Sequence, residues 1–398
     1  MTRLLEGVRV LDLTNVLSGP FATLHLALLG AEVLKVENPR EGDLGRILGN
    51  VPELNKRRMG TSFLAQNANK LSMTLDLKHE EGKAIFRRLV GESDVLVENY
   101  RPGVMQRLGL GYEQLFVLNP RLVYCAISGF GQTGPDAGKP AYDQIIQGLS
   151  GVMAVNGTPE LNPLRCGFPV CDTVGGLNAA FAIMAALFHR ERSGEGQFVD
   201  VAMLDSILPL MGWVAANLLI GGQPPQLLGN DNFTAAPSGA FRTADGFVNI
   251  AANKQEQWEA VAELVGLSAL KEDPRFRERD ARKRNRKELN VLFEEQLLRE
   301  PTAHWVQACN ARGVPAGAIL GLEEALLQPQ LEHRETLATV EVEGHGPVRL
   351  FNLSAKFGKT PASLDTPPPE LSADTDRILA RLGYDEAAIA AFHEQGVV

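Results

Sequence analysis

The sequence of 398 residues has little cysteine and little histidine. Its four cysteines form no C-x-x-C pair, and no cluster of its seven histidines accompanies them. This scarcity argues against both a disulfide framework and a zinc site, so we predict reduced thiols and no bound metal. Acidic residues outnumber basic ones, and the net charge of −9 argues against a protein that binds nucleic acid.

We also predict no membrane-spanning segment. The most membrane-like stretch, residues 207–220, is too short to span a bilayer and contains Pro209 and Asn217, so we predict a buried helix there. The first residues have no apolar core of the kind that signal peptides contain. We therefore expect a cytoplasmic protein that does not associate with membranes.

What the sequence does contain is a regular alternation of apolar runs and helical patterns. We predict strands at residues 8–13, 32–37, 72–77, 94–98, 122–127 and 198–202, with helices at 21–29, 80–90 and 177–192. This alternation predicts a doubly wound parallel sheet, in which ligands bind beyond the carboxyl ends of the strands. Asn15, Asn99 and Gly129 directly follow predicted strands, so we expect them at that rim.

The pattern changes after a long apolar helix predicted at residues 205–221. Residues 221–225 have the composition of a linker. Residues 239–243 and 247–252 then flank an Ala-Asp-Gly turn and predict a hairpin, and three helical patterns follow. We predict a separate α+β domain at about residues 225–325, with a further strand pair and two helices in the tail.

One acidic side chain, Asp172, precedes Gly175 and Gly176 where a loop becomes a long helical pattern. The first turn of a helix has free amides and partial positive charge, so this carboxylate is expected to stay ionised at neutral pH. The glycines would let a ligand approach the backbone. The stretch fits a carboxylate nucleophile, but an N-cap followed by small packing residues is the simpler interpretation of the stretch alone.

Two other features allow more than one interpretation. The run Gly129-Phe-Gly131-Gln-Thr-Gly134 matches a dinucleotide-binding motif, but proline-rich sequence replaces the apolar helix that the motif requires, which argues against a nicotinamide enzyme. Residues 38–69 form a long irregular segment with several basic side chains. These side chains either contact phosphates or form a solvated surface, and composition alone does not decide between the two.

Several short motifs follow one another in a characteristic order. They are Val10-Leu-Asp-Leu13, Ser18-Gly-Pro20, Leu29-Gly-Ala-Glu-Val-Leu-Lys-Val-Glu37, Asn69-Lys70, Leu75-Asp-Leu77, Val97-Glu-Asn99-Tyr-Arg-Pro-Gly103, Ser128-Gly-Phe-Gly131-Gln-Thr-Gly-Pro135, Ala141-Tyr-Asp143, Gln147-Gly-Leu-Ser-Gly151, and Asp172 with Gly176. Together they resemble the class III CoA-transferases, the family of formyl-CoA transferase and of the carnitine and bile-acid CoA-transferases. The resemblance extends over nearly the whole chain.

The resemblance implies an architecture and a set of site residues. It implies a doubly wound large domain formed by residues 1–200 and 326–398, a helical linker at 201–224, a small domain at 225–325, and two chains interlocked as a homodimer. Asp172 falls on the position of the family's nucleophile. Positions that contact CoA or the acyl group fall on Arg40, Lys70, Asn99, Arg107, Lys139, Tyr142, Asp143 and Met203. CoA is a thioester substrate, and no metal or permanently bound cofactor is implied.

The chemistry implied is covalent. The aspartate attacks an acyl-CoA to give a mixed anhydride and then an aspartyl-CoA thioester, and an acceptor acid reverses these steps. Amides of the helix start or of a glycine loop would stabilise the oxyanions. The layout of residues 228–243 resembles members that use succinyl-CoA and a small dicarboxylate, such as glutarate, itaconate, mesaconate or citramalate, more than it resembles those that act on oxalate.

Two alternatives within this fold remain. The α-methylacyl-CoA racemases resemble a pattern with His-Asp where this chain has Tyr142-Asp143, and proton abstraction next to a carbonyl needs that base. The difference argues against a racemase. A scaffold that binds CoA without turnover is the non-enzymatic alternative.

Overall fold

The structure is a computed structural model that describes residues 3–398 and divides them into two compact units. The first unit comprises residues up to 152, 165–223 and 330–398, and the second comprises 153–164 and 224–329. Residues 201–223, predicted as a linker, therefore lie within the first unit. Residues 153–164 lie in the second, where the amide of Gly229 donates a hydrogen bond of 3.0 Å to the carbonyl of Gly157.

A six-stranded sheet forms the centre of the first unit. Its strands are β1 (Arg9–Asp12), β2 (Glu32–Glu37), β3 (Lys70–Thr74), β4 (Val95–Glu98), β5 (Val123–Ser128) and β6 (Phe198–Ala202). They are all parallel in the order β3-β2-β1-β4-β5-β6. The prediction of a doubly wound α/β sheet is confirmed, and the strand order reverses between β1 and β4. At such a switch point the loops diverge and leave a crevice for a ligand.

Helices connect and follow these strands. In chain order they are α1 (Ser18–Leu28), α2 (Pro52–Lys56), α3 (Thr61–Leu64), α4 (Glu80–Gly91), α5 (Val104–Arg107), α6 (Tyr112–Leu118), α7 (Asp143–Leu149), α8 (Val152–Val155), α9 (Val170–Ser193), α10 (Met203–Ile207), α11 (Trp213–Gly221), α12 (Gln255–Leu264), α13 (Arg279–Arg284), α14 (Arg286–Leu297), α15 (Thr302–Ala311), α16 (Leu322–Leu326), α17 (Pro329–His333), α18 (Thr375–Arg381) and α19 (Glu386–Glu394). Short 3-10 turns lie at Leu44–Ile47, Leu208–Met211 and Ser268–Lys271.

Both faces of the parallel sheet are covered, because alternate residues of each strand point to opposite faces. On one face Leu11 and Leu96 pack with α4 and with α18, from the tail of the chain. On the other face Val10 and Val97 pack with α1 and α9. Strands buried on both faces are mostly apolar, which is why the runs in the sequence are nearly continuous rather than alternating, with the buried Lys35 of β2 as an exception.

Helix α9 is long and apolar enough to cross a membrane by length and composition. Part of it is buried, since Ala179, Ile183 and Leu187 belong to the apolar core between α9 and the sheet. The core helix of a soluble protein meets the same criterion. The packing of α9 against the sheet favours a core helix over a membrane span.

The single long helix predicted at residues 205–221 is wrong. The chain instead forms α10, a 3-10 turn and α11, and the axis bends by 83°. Gly212 lies at the break with φ of 52°, a backbone conformation that glycine adopts at little cost. The buried helix predicted at residues 207–220 is also wrong for α11, because in the single chain none of its residues is buried.

The second unit is a smaller α+β domain. Its sheet contains β7 (Ser238–Arg242), β8 (Phe247–Ala251) and β9 (Ala316–Ala318), which are antiparallel, so the predicted hairpin is confirmed. Trp258, Phe276 and Phe293 are fully buried in its core. In the first unit, the tail of the chain adds the antiparallel pair β10 (Leu337–Val342) and β11 (Gly346–Phe351).

Candidate active site

Asp172 is the third residue of α9, which begins at Val170, seven residues before the predicted start. The residue that precedes the helix is Pro169, and its side chain offers no cap. The interpretation of Asp172 as an N-cap is therefore wrong. Its carboxylate belongs to the first turn and is partly buried. The helix extends further toward its N-terminus than the apolar pattern indicated because another element supplies the missing cap.

Asp143, the first residue of α7, supplies that cap. Its Oδ1 accepts hydrogen bonds from the backbone amides of Cys171, at 2.8 Å, and of Asp172, at 3.4 Å. Its Oδ2 accepts a 2.7 Å bond from the side-chain amide of Gln147, one turn further along α7. Gln147 in turn accepts a 2.9 Å bond from the amide of Cys166. Two side chains of α7 thus hold the segment that leads into α9 and fix the backbone of Asp172.

Burial is the main cause of a raised pKa at Asp172. Burial, and then the nearby charge of Asp143, raise the pKa of Asp172 to about 7. The expectation that this carboxylate is fully ionised at neutral pH is therefore wrong, because desolvation and a like charge oppose the helix terminus. A pKa near the working pH is typical of groups that take part in reactions, although buried carboxylate pairs with structural roles also have such values.

The neighbouring thiol of Cys171 does not compete as a nucleophile. Burial, together with Asp143 and Asp172, raises the pKa of Cys171 to about 12. A thiol is a weak nucleophile until it loses its proton. At neutral pH the reactive group at this helix start is consequently the Asp172 carboxylate.

The first amides of α9 are already used. The amide of Val170 donates to the carbonyl of Phe168 and that of Thr173 donates to the carbonyl of Pro169, while Asp143 accepts the two amides between them. The sequence suggested that amides of the helix start stabilise the oxyanions, and for these four amides that suggestion is wrong.

The two glycines after Asp172 allow close packing rather than ligand approach. A Cβ on Gly176 would lie 2.5 Å from the carbonyl oxygen of Ser18, and a Cβ on Gly175 would lie 3.0 Å from Cγ of Met203. Side chains at these positions would push α9 away from α1 and α10. Met203 itself is buried, in an apolar cluster with Ile146.

Asn99 lies at the switch point of the sheet. Its side-chain oxygen accepts from the amide of Asn15 at 2.8 Å, and its side-chain nitrogen donates to the carbonyl of Asn15 at 2.9 Å. This reciprocal pair joins the loops that leave β1 and β4. The predicted position of Asn99 and Asn15 at the carboxyl rim is confirmed, since Asn99 directly follows β4 and Asn15 lies in the loop that leaves β1 after Asp12.

A second buried carboxyl, Glu98, lies at the same rim, and the sequence analysis did not single it out. Burial raises the pKa of Glu98 to about 7. Its carboxyl group accepts a 2.7 Å hydrogen bond from the amide of Tyr100 and contacts the hydroxyl of Tyr124 at 3.5 Å. The only sequence signal for it is an acidic residue at the end of an otherwise apolar strand.

The remaining predicted ligand contacts are on the surface of the first unit. Tyr142 directly precedes Asp143, and its side chain is 69% exposed. Lys139 is exposed and forms an ion pair of 2.7 Å with Asp136. Arg40 and Arg107 are exposed. The structure therefore brings Asp143 into contact with the backbone of Asp172 and packs Met203 against the neighbouring Cys171. It leaves Tyr142 and the three cations at the surface.

Lys70 has a different environment from the one expected for a ligand contact. Its side chain is fully buried. Its ammonium donates to Asp12, at 2.9 Å, and to the hydroxyl of Thr23, at 2.8 Å, as well as to the side chain of Asn67 and a backbone carbonyl. Burial alone would raise the pKa of Asp12, but the ammonium groups of Lys70 and Lys35 outweigh it and hold that pKa well below its usual range. With its donors occupied, Lys70 contacts no ligand unless this network opens.

Replacing the Asp12 carboxylate tests this buried pair. Asp12→Ala leaves the Lys70 ammonium buried without its counter-charge, so we expect the free energy of unfolding to fall by about 3–5 kcal/mol. Thermal and urea unfolding of the whole chain measure the change. Glu80→Ala, which breaks the exposed pair with Lys83, is the control and should leave the transition where it is. An Asp12→Ala protein as stable as the parent would contradict the assignment.

Sequence reasoning missed Gln147 as a residue of the site. Its four-residue spacing from Asp143 puts both side chains on one face of a helix, and that was the available signal. Among residues 3–398, no group of three or more His, Cys, Asp or Glu side chains is arranged to hold a metal ion.

Comparison with known proteins identifies the family of this chain. The profile of CoA-transferase family III matches residues 5–375. The chain is 38% identical to the succinyl-CoA:glutarate CoA-transferase of Mus musculus, over 99% of this chain and 90% of that protein. It is 37% identical to the succinate–glutarate CoA-transferase of Agrobacterium fabrum, over 95% of each.

Solved structures lead to the same family. A CaiB/BaiF family protein from Brucella suis superposes with a TM-score of 0.85 and is 34% identical, covering 96% of this chain and 100% of the other. The family is assigned from two findings: the profile matches most of the chain, and relatives above 30% identity align over nearly its full length. The chain belongs to CoA-transferase family III and is an enzyme of that class.

Proposed function

We propose that this enzyme moves CoA from succinyl-CoA to a small dicarboxylic acid, glutarate first among them, with Asp172 as the nucleophile. The observation that carries the proposal is the partly buried carboxylate of Asp172 in the first turn of α9, where Asp143 holds its backbone amide. The names of the mouse and Agrobacterium relatives specify succinyl-CoA or succinate together with glutarate, and similarity over nearly the whole chain supports the same pair here.

In the first half of the reaction, an oxygen of ionised Asp172 attacks the thioester carbonyl of succinyl-CoA. The C–S bond breaks, CoA leaves as a thiolate, and an aspartyl–succinyl anhydride forms. The thiolate then attacks the aspartyl carbonyl. Succinate leaves with one oxygen that came from Asp172, and Asp172 now carries CoA as a thioester.

In the second half, a carboxylate of the acceptor acid attacks the Asp172 thioester and releases the thiolate again. The thiolate attacks the acceptor side of the new anhydride, giving the product acyl-CoA and restoring Asp172 with one acceptor oxygen. No net proton is transferred, so the enzyme needs an ionised Asp172 but no general acid. Burial around Asp172 serves to keep water from hydrolysing the anhydride.

The cations on the surface of the first unit are suited to the phosphates of CoA. Arg40, Arg107 and Lys139 are exposed, and phosphate binding by such side chains depends on charge-assisted hydrogen bonds. We include Asn99 because it lies at the switch point of the sheet, where ligands bind in open α/β folds. Asp143 and Met203 support the site indirectly, because they hold the start of α9 in place.

The test is a mass-spectrometric exchange assay. The protein is mixed with succinyl-CoA and, one at a time, glutarate, itaconate, mesaconate, citramalate, malate, oxalate and formate. We expect a new acyl-CoA with at least one dicarboxylate and none in the absence of acceptor. No new acyl-CoA with any acid of the panel would contradict the proposal.

The racemase alternative is not favoured. Tyr142 stands where racemases have histidine, and the mouse and Agrobacterium relatives are named as transferases. Incubation of a 2-methylacyl-CoA in deuterium oxide without acceptor acid distinguishes the two reactions. A transferase acting as proposed incorporates no deuterium at the α-carbon.

We also propose that the enzyme is an interlocked homodimer in the cytoplasm. Four large apolar side chains at helical spacing lie exposed on α9 in the single chain: Leu177, Phe181, Met184 and Phe188, with exposed fractions of 47, 70, 36 and 62%. On α11, Leu219 and Ile220 are 84% and 88% exposed. Contiguous apolar surface of this kind is typical of a face that another chain covers, and a second copy is the partner that the family resemblance implies.

Charges on this face test the dimer. Phe181→Asp combined with Phe188→Asp buries two carboxylates if a second chain covers α9, so we expect a shift from dimer to monomer and a loss of CoA exchange. Light scattering after gel filtration gives the mass directly. Val117→Asp, at an apolar position of α6 that is 83% exposed, is the control and should leave the mass unchanged. A monomeric parent protein, or a double variant that stays dimeric, would contradict the proposed interface.

A further inference from the structure

One arginine beside the nucleophile has unused hydrogen-bond donors. Arg165 lies seven residues before Asp172, in the segment that leads into α9, and 43% of its side chain is exposed. Its Nη2 is 3.9 Å from Oδ2 of Asp143, which is at the limit of an ion pair. Within residues 3–398 its guanidinium makes no hydrogen bond. Five N–H donors in a fixed planar arrangement are therefore available.

Asp143 does not satisfy these donors, because the 3.9 Å between Nη2 and Oδ2 exceeds hydrogen-bond distance and other groups already donate to both of its oxygens. Oδ1 accepts the amides of Cys171 and Asp172, and Oδ2 accepts the side-chain amide of Gln147. A guanidinium held near a carboxylate by attraction, yet without a hydrogen bond to it, can bind a second carboxylate in a bidentate manner.

We propose that Arg165 is the subsite for the distal carboxylate of the dicarboxylic acid whose other carboxylate reacts with Asp172. This inference rests on the proposed function and names the feature that selects its substrate. The same carboxylate, that of Asp143, lies 3.9 Å from the Arg165 guanidinium and accepts the backbone amide of Asp172. Arg165 and Asp172 therefore lie on either side of Asp143, and a dicarboxylic acid has two charged ends that could meet them separately.

The phosphates of CoA are a less suitable ligand for this arginine. In an acyl-CoA the pantetheine arm separates them from the thioester, and the thioester must lie against Asp172 when it reacts. The group nearest to Arg165 is then the far end of the acyl chain. A monocarboxylic acid of the same length would place a methyl group against the desolvated guanidinium. The hydrogen-bond donors of Arg165 would then have no partner, so the site would disfavour this analogue.

A single half-reaction isolates this subsite. Glutaryl-CoA and pentanoyl-CoA have acyl chains of the same length and differ only in the distal group. We would measure by intact-protein mass how fast each converts the enzyme into its CoA adduct, for the parent, Arg165→Met and Arg165→Lys. Arg87→Met is the control, because Arg87 is an exposed arginine on α4, which covers the opposite face of the sheet.

We expect the parent to react faster with glutaryl-CoA. Arg165→Met should lower its second-order rate constant for glutaryl-CoA by about 10- to 100-fold, mainly through a higher half-saturation concentration, and leave pentanoyl-CoA nearly unchanged. Arg165→Lys keeps the charge but loses the planar fork, so it should be intermediate. Arg87→Met should match the parent with both thioesters.

Three results would overturn the subsite. They are a parent that does not discriminate between the two thioesters, an Arg165→Met variant that keeps the parent's preference, and an equal loss with both thioesters, which would mean that Arg165 only supports Asp143. If Arg165→Met does not fold, Arg165→Lys decides on the same criteria. A parent that forms no adduct with either thioester would instead contradict the proposed covalent function.

Discussion

Asp172→Ala is expected to lower CoA exchange by at least about 10³-fold, since no other group at the start of α9 is placed to form the anhydride. Cys171 is the adjacent residue, and its raised pKa keeps the thiol protonated. Asp172→Asn should be equally inactive, because an amide has the same shape but is not a carboxylate nucleophile. The assay is the appearance of glutaryl-CoA from succinyl-CoA and glutarate.

Loss of activity has to be separated from loss of structure. The Asp172 side chain makes none of the hydrogen bonds that hold the α9 start, which use its backbone amide and the side chain of Asp143. We therefore expect both variants to unfold at the parent's temperature or slightly above it, because a raised carboxyl pKa reflects a burial cost that the variants remove. An Asp172→Ala enzyme with appreciable exchange activity would exclude this residue as the nucleophile.

Asp143→Ala is expected to lower exchange by about 10²-fold while leaving Asp172 in the chain. The variant removes the acceptor for the amides of Cys171 and Asp172, so the first turn of α9 frays and the nucleophile loses its fixed position. Asp143→Asn keeps an acceptor oxygen but not the charge. We expect it to retain more activity and to change the pH dependence instead.

The direction of that change follows from the state that reacts. Only ionised Asp172 attacks, so the parent's activity should rise with pH through about 7. Removing the charge of Asp143 lowers the pKa of Asp172 toward the ordinary range, and the rise should move to lower pH; burial, the larger cause, remains. Asp385→Ala removes a cap from α19 in the same unit and is the control, with an unchanged pH profile. A profile for Asp143→Asn that coincides with the parent's would contradict the coupling between the two carboxylates.

The fold followed from the sequence where residue patterns are local. Strand β6 was predicted at its observed bounds, and β2 likewise, because each is a short, mostly apolar and valine-containing segment, which is typical of a strand in an α/β chain. The helix at residues 205–221 failed because its apolar residues suited one long helix, whereas Gly212 turns the chain. The residues of α11 are as apolar as those of a protein core, yet none of them is buried in the single chain. Composition alone does not tell whether the same chain or another one covers an apolar helix.

The site followed from the sequence only in part. Asp172 was singled out because it precedes two glycines where a loop becomes a helical pattern, and because it falls on the position of the family's nucleophile. Its cap was not found, because Asp143 lies 29 residues earlier and reaches α9 only through the packing of α7. Lys70 was assigned a ligand contact from the family resemblance, and its burial was not foreseen because its partner Asp12 is 58 residues away. The two residues meet because β3 and β1 lie on either side of β2. Charges that neutralise each other inside a protein look like solvated charges in a sequence.

Oxygen-18 in the acceptor tests the central proposal, that Asp172 carries CoA, most directly. The enzyme turns over succinyl-CoA with glutarate labelled in both carboxylates, in ordinary water, and the peptide of residues 166–190 that trypsin releases is weighed. The mechanism restores Asp172 with one acceptor oxygen, so that peptide should gain about 2 Da in a single turnover. A peptide of unchanged mass, with the label already in the succinate of the first turnover, would mean that the two acids exchange CoA directly and that Asp172 is not the carrier.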